Sequence, residues 1–313
     1  MSNRFLIPLC LMLPLSAGLQ AAITFSVVFT SQAEADLSAS DRAKFTDGLA
    51  FWDAIIDGYQ DGRSYNWVLT VDTFSQAASG GGVLLGSAGP EDLYLSNVVP
   101  GSGLGGSWPD RYILSGSGFS QFNTHPDADI EPGPDQLNAS TIRHEIGHAL
   151  GIGTLWEDNE VYNDGIGGNH NRTATVGTPG QYIGANGLSI YQSEFDPTAA
   201  FIPIERDGGP GTADGHWNMV ADHFNSSLEN QPGFDSDPGD GGPAPTVLFG
   251  PNLGLSLDDE LMTGVSSGSR FISETTKASL IDIGFTLHSS PVPEPAVFAH
   301  LALAFGLAAR RRR

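Results

Sequence analysis

The residues with the clearest chemical potential lie in the segment HEIGHALG at positions 144–151. On a helix, His144 and His148 are four residues apart and project from one face, where both imidazoles can bind the same metal ion. Glu145 is adjacent, and its carboxylate can take a proton from a metal-bound water. The spacing therefore predicts a hydrolytic metal site with two histidine ligands and a glutamate general base.

The sequence around this segment predicts the helix that must present it. Pro134, Asn138 and Ser140 are typical of a helix start. Apolar residues at helical spacing form a stripe roughly opposite the histidines, namely Ile142, Ile146, Ala149 and Leu150. Gly151, followed by Gly153, is expected to end the helix. One face of the helix is thus predicted to pack on the core while the other holds the metal.

A third ligand has to come from outside this helix, because a hydrolytic zinc ion has three protein ligands and one open position. The remaining histidines of the mature chain before the C-terminal tail are His125, His170, His216, His223 and His288. Of these, His125 and His170 are interpreted as loop residues. His216 lies in GGPGTADGHW at 208–217, and DELMTG follows at 259–264.

The order HEIGHALG, GHW and ELMTG resembles the leishmanolysin-like metallopeptidases, a branch of the metzincins. In that branch a long insertion separates the active-site helix from a third histidine in a Gly-His-Trp setting, and an ELMTG segment forms a methionine-containing turn beneath the metal. The resemblance covers roughly residues 140–287, including the segments YIGAN (182–186), IPIE (202–205) and SLIDIGF (279–285). The resemblance implies that Glu145 is the catalytic base and that the zinc ligands are His144, His148 and His216. It also implies that Met262 is the methionine of the turn.

The chain departs from the commonest metzincin pattern at Thr154. Many members have their third histidine at this position, three residues beyond the glycine turn, and a threonine cannot replace it as a ligand. Gly151 is therefore expected to turn the chain towards a more distant ligand. His223, seven residues after His216, is the reserve candidate, with an ordinary surface histidine as its other interpretation.

The fold class that the resemblance implies is α+β, a metzincin-like zinc peptidase. An N-terminal mixed twisted sheet and the active-site helix would precede an irregular C-terminal subdomain. The residue patterns predict a strand at 23–30, a helix at 40–56, a strand at 67–74, short strands at VLLGSA and RYILSGSG within 79–118, and a short helix within 178–195. One of the short strands is interpreted as an edge strand above the cleft. Residues 230–246 are interpreted as a flexible loop, with a calcium loop as the alternative.

The N-terminus has the features of a secretory signal peptide covering residues 1–21. Arg4 is followed by an apolar stretch and then by small residues up to Ala21. The only cysteine, Cys10, lies inside this segment. The mature chain is therefore expected to contain no disulfide and no thiol that could bind zinc.

The C-terminus, PVPEPAVFAHLALAFGLAARRRR, resembles the PEP-CTERM sorting signal of Gram-negative bacteria. Pro293-Glu294-Pro295 matches the motif, and an apolar run (296–309) and four arginines follow. The run is shorter than the roughly 20 residues of a stable membrane span. The resemblance implies cleavage by an exosortase-type enzyme, transient membrane contact through residues 291–313, and delivery to the cell surface or extracellular matrix. A plain C-terminal anchor is the alternative.

The net charge of -22 argues against nucleic acid or an anionic membrane as a partner. The sequence as a whole predicts a secreted zinc-dependent endopeptidase, with its peptidase domain at 22–290, one catalytic zinc, and a protein or peptide as substrate. No motif supports a calcium ion. Two alternatives stay open: a catalytically inactive surface or biofilm-matrix protein that retains the fold, and a zinc amidase that acts on cell-wall peptides.

Overall fold

The computed structural model describes the chain at residues 22–77, 84–126, 137–164, 178–206, 212–218, 244–264 and 270–288. The predicted signal peptide and the PEP-CTERM segment lie outside these residues, as do His170, His223 and most of the loop at 230–246. In the described part of the chain, no helix combines the length and the apolar composition needed to cross a membrane.

Helices and strands are both present, which agrees with the predicted α+β class. In chain order the elements are β1 (Ile23–Phe29), α1 (Ser31–Asp36), α2 (Ala39–Asp53), β2 (Ile56–Tyr59), β3 (Tyr65–Phe74), β4 (Gly86–Leu95), β5 (Ile113–Asn123), α3 (Ala139–Leu150), β6 (Gln181–Tyr182), α4 (Ala185–Glu194), β7 (Ile202–Pro203), a 3₁₀ turn (Leu257–Asp259), α5 (Glu274–Asp282) and β8 (Phe285–Leu287). The longer elements lie in the first half of the chain, and the second half is built from shorter ones.

Four strands form one open mixed sheet in the order β1-β3-β5-β4. β1, β3 and β5 are parallel, and β4 joins β5 in the antiparallel direction. Alternate residues of β3 are fully buried, as expected for a strand with one face on the core, and these are Trp67, Leu69 and Val71. The predicted mixed sheet and the predicted strands at 23–30 and 67–74 are confirmed.

Helix α2 is shorter than its sequence pattern predicts. The apolar spacing over residues 40–56 predicts a single helix, but α2 ends at Asp53. Residues 56–59 form β2 instead, which pairs antiparallel with β8 near the other end of the described chain. This pairing satisfies backbone groups that a longer helix would have used, so a long-range contact overrides the local pattern.

Strands β4 and β5 form a long antiparallel pair that differs in its bounds from the predicted short strands VLLGSA (83–88) and RYILSGSG (111–118). Only residues 86–88 of the first prediction belong to β4, and β5 begins at Ile113 within the second. β4 begins at Gly86 and continues to Leu95, and β5 extends to Asn123. The pairing continues past Pro90 because register shifts on both sides of Asp92 absorb the residues that do not fit the ladder. β4 is the outermost of the strands that the structure describes on this side of the sheet, which agrees with the predicted edge strand.

Helix α3 carries the HEIGH segment and matches its prediction closely. Asn138 caps the helix by accepting a hydrogen bond from the backbone N–H of Ser140 at 2.7 Å, whereas Pro134 lies outside the described residues. The predicted apolar stripe is completely buried: Ile142, Ile146, Ala149 and Leu150. Each large aliphatic side chain buried in this way contributes about 1.5–3 kcal/mol. Gly151 ends the helix in a left-handed conformation with a φ of 117°.

In the second half of the chain, α4 and α5 are joined by carboxylates that accept hydrogen bonds from the backbone N–H groups at the start of the other helix. Asp282, at the end of α5, accepts hydrogen bonds from the backbone N–H groups of Asn186 and Gly187 in the first turn of α4. Glu194, at the end of α4, accepts from the first two backbone N–H groups of α5 in return. Each carboxylate satisfies donors that have no partner within their own helix, so the two helices hold each other in place. The short helix predicted within 178–195 is confirmed as α4.

Candidate metal centre

Three histidine side chains converge beside α3. The Nε2 atoms of His144 and His148 are 2.9 Å apart, and Nε2 of His216 lies 3.1 Å from the first and 2.9 Å from the second. His148 and His216 are buried, and His144 is partly exposed. Within the described residues, this is the only group of three or more His, Cys, Asp or Glu side chains close enough to hold a metal ion. The structure thus brings together the two helical histidines and the remote histidine that the sequence singled out.

The second nitrogen of each imidazole fixes the direction of its Nε2 lone pair. Each Nδ1 faces a backbone carbonyl oxygen: His144 that of Leu261 (2.6 Å), His148 that of Ile152 (2.9 Å) and His216 that of Thr212 (2.7 Å). Because a carbonyl oxygen can only accept, each ring carries its proton on Nδ1 and presents an unprotonated Nε2. Three acceptor atoms that face one another have no hydrogen to share, so a cation bound between them would stabilise the arrangement.

The loop that carries His216 approaches α3 at Gly153, just beyond the helix end. Gly153 has a φ of 77°, and a Cβ atom added to it would lie 2.1 Å from the carbonyl oxygen of Gly215. On the other side of the loop, the backbone N–H of Glu205 donates to the carbonyl oxygen of His216 at 2.9 Å. The missing side chain at residue 153 therefore lets the remote histidine reach the helix, a role beyond that of a helix stop.

Replacing Gly153 with alanine is expected to weaken metal binding as well as the fold. The new methyl group would strike the Gly215 backbone and displace His216, while the positive φ alone costs an L-residue about 1–2 kcal/mol. Gly62 is a matched control because its φ is 75° and no atom lies within 4 Å of an added Cβ. Zinc titration and urea unfolding should show that Gly62→Ala loses stability only, whereas Gly153→Ala loses stability and zinc affinity. Equal zinc affinity in the two variants would contradict the assigned role.

Glu145 lies beside the histidines with 6% of its surface exposed. None of the described residues donates a hydrogen bond to its carboxylate, and burial raises the pKa of this group to about 8. An added Cβ on Gly86, the first residue of β4, would lie 3.2 Å from Cδ of Glu145, so the edge strand passes close to this carboxyl group. A carboxyl group in this environment is suited to exchange protons near neutral pH.

Met262 is fully buried and packs against α3 at Gly147. A Cβ on Gly147 would lie 2.8 Å from Sδ of Met262 and 3.1 Å from the indole of Trp52. Gly147 therefore allows the methionine to pack directly against the helix backbone between the two helical histidines. The preceding residue, Leu261, provides the carbonyl oxygen that orients His144. The turn thus packs against the helix and also positions a candidate ligand.

A buried polar network beneath the site links the two remote motifs, and the sequence analysis did not predict it. Thr276 Oγ1 donates to Oε1 of Glu260 at 2.6 Å and accepts from Nε1 of Trp217 at 2.7 Å. Glu260 also accepts from the backbone N–H of Met262. The glutamate of ELMTG and the tryptophan of GHW are therefore joined through α5, which fixes His216 relative to the methionine turn. The only indication of this network in the sequence is that each of the two motifs contains a side chain that can form hydrogen bonds.

Burial also controls the protonation of the histidines. Desolvation lowers the pKa of His148 to about 4 and that of His216 to about 3, with the neighbouring His148 ring adding to the effect on His216. The pKa of His144 is lowered as well, first by burial and then by the other two rings. At neutral pH all three rings are therefore neutral, the state that a metal ion requires of its imidazole ligands.

The three histidines are expected to destabilise the metal-free protein as the pH falls from about 6.5 to 5.5. The unfolded chain binds protons at its histidines in this range, while the folded chain does not, so lowering the pH favours unfolding by about 1 kcal/mol for each histidine. Three carboxyl groups act in the opposite direction because burial raises their pKa in the folded chain, that of Glu145 to about 8, that of Glu157 to about 7, and also that of Glu260, and they offset much of this loss. Urea unfolding in the presence of a chelator measures the net change with pH, and His216→Ala, which lacks one of the three contributions, should decline less or gain more as the pH falls. An identical change in both proteins would contradict the assignment.

The other residues that were candidate ligands and that the structure describes do not join the cluster. Oγ1 of Thr154 donates to the carbonyl oxygen of His148 at 2.7 Å, so this residue secures the helix end. His288 is exposed and lies 3.3 Å from a carboxylate oxygen of Asp57. His125 follows the end of β5, and the reserve candidate His223 lies outside the described residues.

The site therefore combines three neutral, convergent imidazoles with an adjacent carboxyl group and a strand edge that passes beside it. Such a donor set can hold a metal ion and place a proton acceptor next to it. In comparisons with known proteins, no protein-family model matches the chain and no curated protein matches it significantly.

Proposed function

We propose that this chain is a zinc-dependent endopeptidase, with His144, His148 and His216 as the zinc ligands and Glu145 as the general base. The observation that carries the proposal is the convergence of three unprotonated Nε2 atoms within 3.1 Å of one another, next to a buried carboxyl group. A structural zinc site would use a fourth protein ligand, and the cluster among the described residues provides three. An open fourth position is the arrangement that hydrolytic sites require.

The donor set supports zinc as the ion. Zinc is commonly bound by neutral imidazoles at about 2.0–2.1 Å, and tetrahedral angles then separate the nitrogen atoms by about 3.3 Å. The observed separations of 2.9–3.1 Å are within a few tenths of an ångström of that value, so small side-chain movements suffice. Oxygen-preferring ions such as calcium and magnesium are bound by carboxylates and carbonyls, whereas the three convergent donors at this site are imidazole nitrogens.

The chemistry of peptide hydrolysis can be divided between the ion and the side chains. When bound, zinc supplies a Lewis acid that activates water and polarises the scissile carbonyl group. Glu145 accepts the proton from the attacking water and returns it to the departing amine. The three Nδ1–carbonyl hydrogen bonds keep the imidazoles oriented while this happens. β4 is suited to hold an extended peptide, since its outer edge can pair with the substrate as an added strand.

The resemblance to leishmanolysin-like peptidases receives support from the way the motif segments pack. β7, the start of IPIE, pairs with β6 in the segment that leads to YIGAN. Ile204 then bridges to Trp217, which bridges to Thr263 in the ELMTG turn. Asp282 of SLIDIGF reaches back to the backbone of YIGAN. Segments that are far apart in sequence therefore pack together, and two of them bridge to Trp217, the neighbour of His216.

The cellular setting belongs to the same proposal and rests on the sequence. A signal peptide at 1–21 would export the chain, and the PEP-CTERM segment at 291–313 would present it to an exosortase-type enzyme. The product would act at the cell surface or in the extracellular matrix on protein or peptide substrates. A mature chain without cysteine is consistent with stabilisation by packing and by the metal.

A substrate panel tests the proposed function against its two alternatives. The secreted protein, loaded with one equivalent of zinc, is incubated with casein and with purified peptidoglycan. We expect casein fragments that a chelator prevents and added zinc restores. Release of peptides from peptidoglycan without casein cleavage would indicate a cell-wall amidase instead. Zinc binding without hydrolysis of either substrate would indicate an inactive surface protein.

A further inference from the structure

A partly buried arginine, Arg270, contacts the methionine turn and has no part in the proposed chemistry. Its Nη1 atom contacts four oxygen atoms of this turn: the carbonyl oxygens of Glu260 (3.3 Å), Leu261 (3.2 Å) and Thr263 (3.0 Å), and Oγ1 of Thr263 (3.1 Å). One nitrogen atom thus gathers the polar groups of the whole turn around a positive charge. Contacts between a charged donor and a carbonyl are stronger than those between neutral groups.

The carbonyl oxygen of Leu261 is the point at which Arg270 meets the metal site. It accepts from Nη1 of Arg270 at 3.2 Å and from Nδ1 of His144 at 2.6 Å. The other two histidines use the carbonyl oxygens of Ile152 and Thr212, and Arg270 makes no hydrogen bond to either. Through hydrogen bonds, the arginine is therefore linked to one ligand of the three, although its charge lowers the pKa of both His144 and His216.

The rest of the guanidinium group makes no hydrogen bond to the described residues, although Glu260 and Asp259 attract its charge. Nε and Nη2 of Arg270 are buried and have no hydrogen-bond partner among these residues. Leaving charged donors buried without acceptors costs free energy, so an apolar side chain of similar size would suit a purely structural position better. The contacts that remain are those of Nη1 with the turn, and these point to a role in orienting its carbonyl groups.

We propose that Arg270 is a positioning residue for His144, which acts by holding the Leu261 carbonyl against the histidine Nδ1. This inference rests on the proposed metal site. With the turn carbonyls drawn to one nitrogen, Leu261 keeps His144 in the Nδ1–H form with its Nε2 lone pair directed at the metal. Without the arginine, these carbonyl groups lose their common donor and can rotate, and His144 then samples other orientations and the other tautomer.

The test compares Arg270→Met with the unchanged protein. In metal-free protein, the ¹⁵N chemical shifts of the imidazole nitrogens report the tautomer of each ring. We expect the shifts of His144 to move towards a mixture of tautomers, while those of His148 and His216 stay unchanged. Loss of this orientation should raise the zinc dissociation constant by about 10- to 100-fold, the usual effect of removing an outer partner of a ligand. Competition with a chelator of known affinity measures that constant.

Arg42→Met is the matched control, because Arg42 also donates to two backbone carbonyl oxygens but lies at the junction of α1 and α2. It should lower stability at most and leave the ¹⁵N shifts and zinc affinity unchanged. A purely structural role for Arg270 would give the same result as this control. Unchanged His144 shifts, or equal movement of all three histidines, would overturn the proposal. So would tighter zinc binding, which would show that repulsion between the arginine and the metal outweighs positioning.

Arg270→Lys provides the second variant in case the methionine variant does not fold. Lysine keeps the charge, but its shorter side chain cannot reach all four oxygen atoms, so a smaller shift confined to His144 is expected. No change at His144 in a folded Arg270→Lys protein would overturn the inference. Failure of the unchanged protein to bind zinc would contradict the proposed function instead, so the two failures are distinguishable.

Discussion

Replacing Glu145 with glutamine is expected to lower the rate of peptide hydrolysis by about 10²- to 10⁴-fold, the usual contribution of a general base. The amide has nearly the same shape as the carboxyl group but cannot accept the proton of the attacking water. Because Glu145 is not one of the three convergent Nε2 donors, zinc content should remain at one ion per chain. Zinc analysis and casein hydrolysis on the same preparation measure the two quantities separately.

Glu34→Gln is a suitable control for this experiment, since Glu34 is an exposed carboxylate on α1. It should retain full activity and full zinc content. Activity within a factor of two of the unchanged protein in Glu145→Gln would show that the carboxylate is not the proton acceptor. Loss of zinc together with activity would instead place Glu145 among the groups that hold the ion.

Replacing His216 with alanine is expected to reduce bound zinc from one ion per chain to a trace and to abolish hydrolysis. Two imidazoles on one helix do not complete a zinc site, which takes at least three protein ligands. The loss of zinc affinity should exceed the loss caused by replacing a residue that only orients a ligand, because a bond to the metal itself is removed. Zinc content after gel filtration and the dissociation constant by competition provide the measurement.

Two other histidine variants control for the position of the third ligand. His288→Ala removes an exposed imidazole, and zinc should stay bound. His223→Ala should likewise leave zinc and activity intact. If His223→Ala lost both while His216→Ala kept them, the third ligand would have been assigned to the wrong histidine.

The parts of the site that the sequence could predict are those determined by local rules. The HEIGH spacing, the Asn138 cap, the buried stripe and the stop at Gly151 all lie within or next to α3, and the structure confirms each of these features of the helix. His216 was reached differently, through the order of motifs along the chain, since nothing local distinguishes it from the other histidines. The structure then brings its Nε2 within 3.1 Å of the helical pair.

The parts that the sequence could not predict depend on contacts between distant residues. The pairing of β2 with β8 shortens α2, and neither strand carries a pattern that identifies its partner. Thr276 joins Glu260 to Trp217 from the part of α5 that precedes the SLIDIGF segment, where no motif marks it. The sequence around Gly153 predicts only a helix stop, and its close contact with the Gly215 backbone is visible only in the structure. In each case the deciding factor is a tertiary contact that no local pattern indicates.

The central claim is that His144, His148 and His216 bind one zinc ion with a coordination position left open. The most direct test is a crystal structure of the zinc-loaded protein with anomalous scattering recorded at the zinc absorption edge. The account predicts one anomalous peak at bonding distance from the three Nε2 atoms, with a solvent molecule as its fourth ligand near Glu145. A well-folded protein with no peak between these rings, or with a fourth protein side chain closing the site, would contradict it.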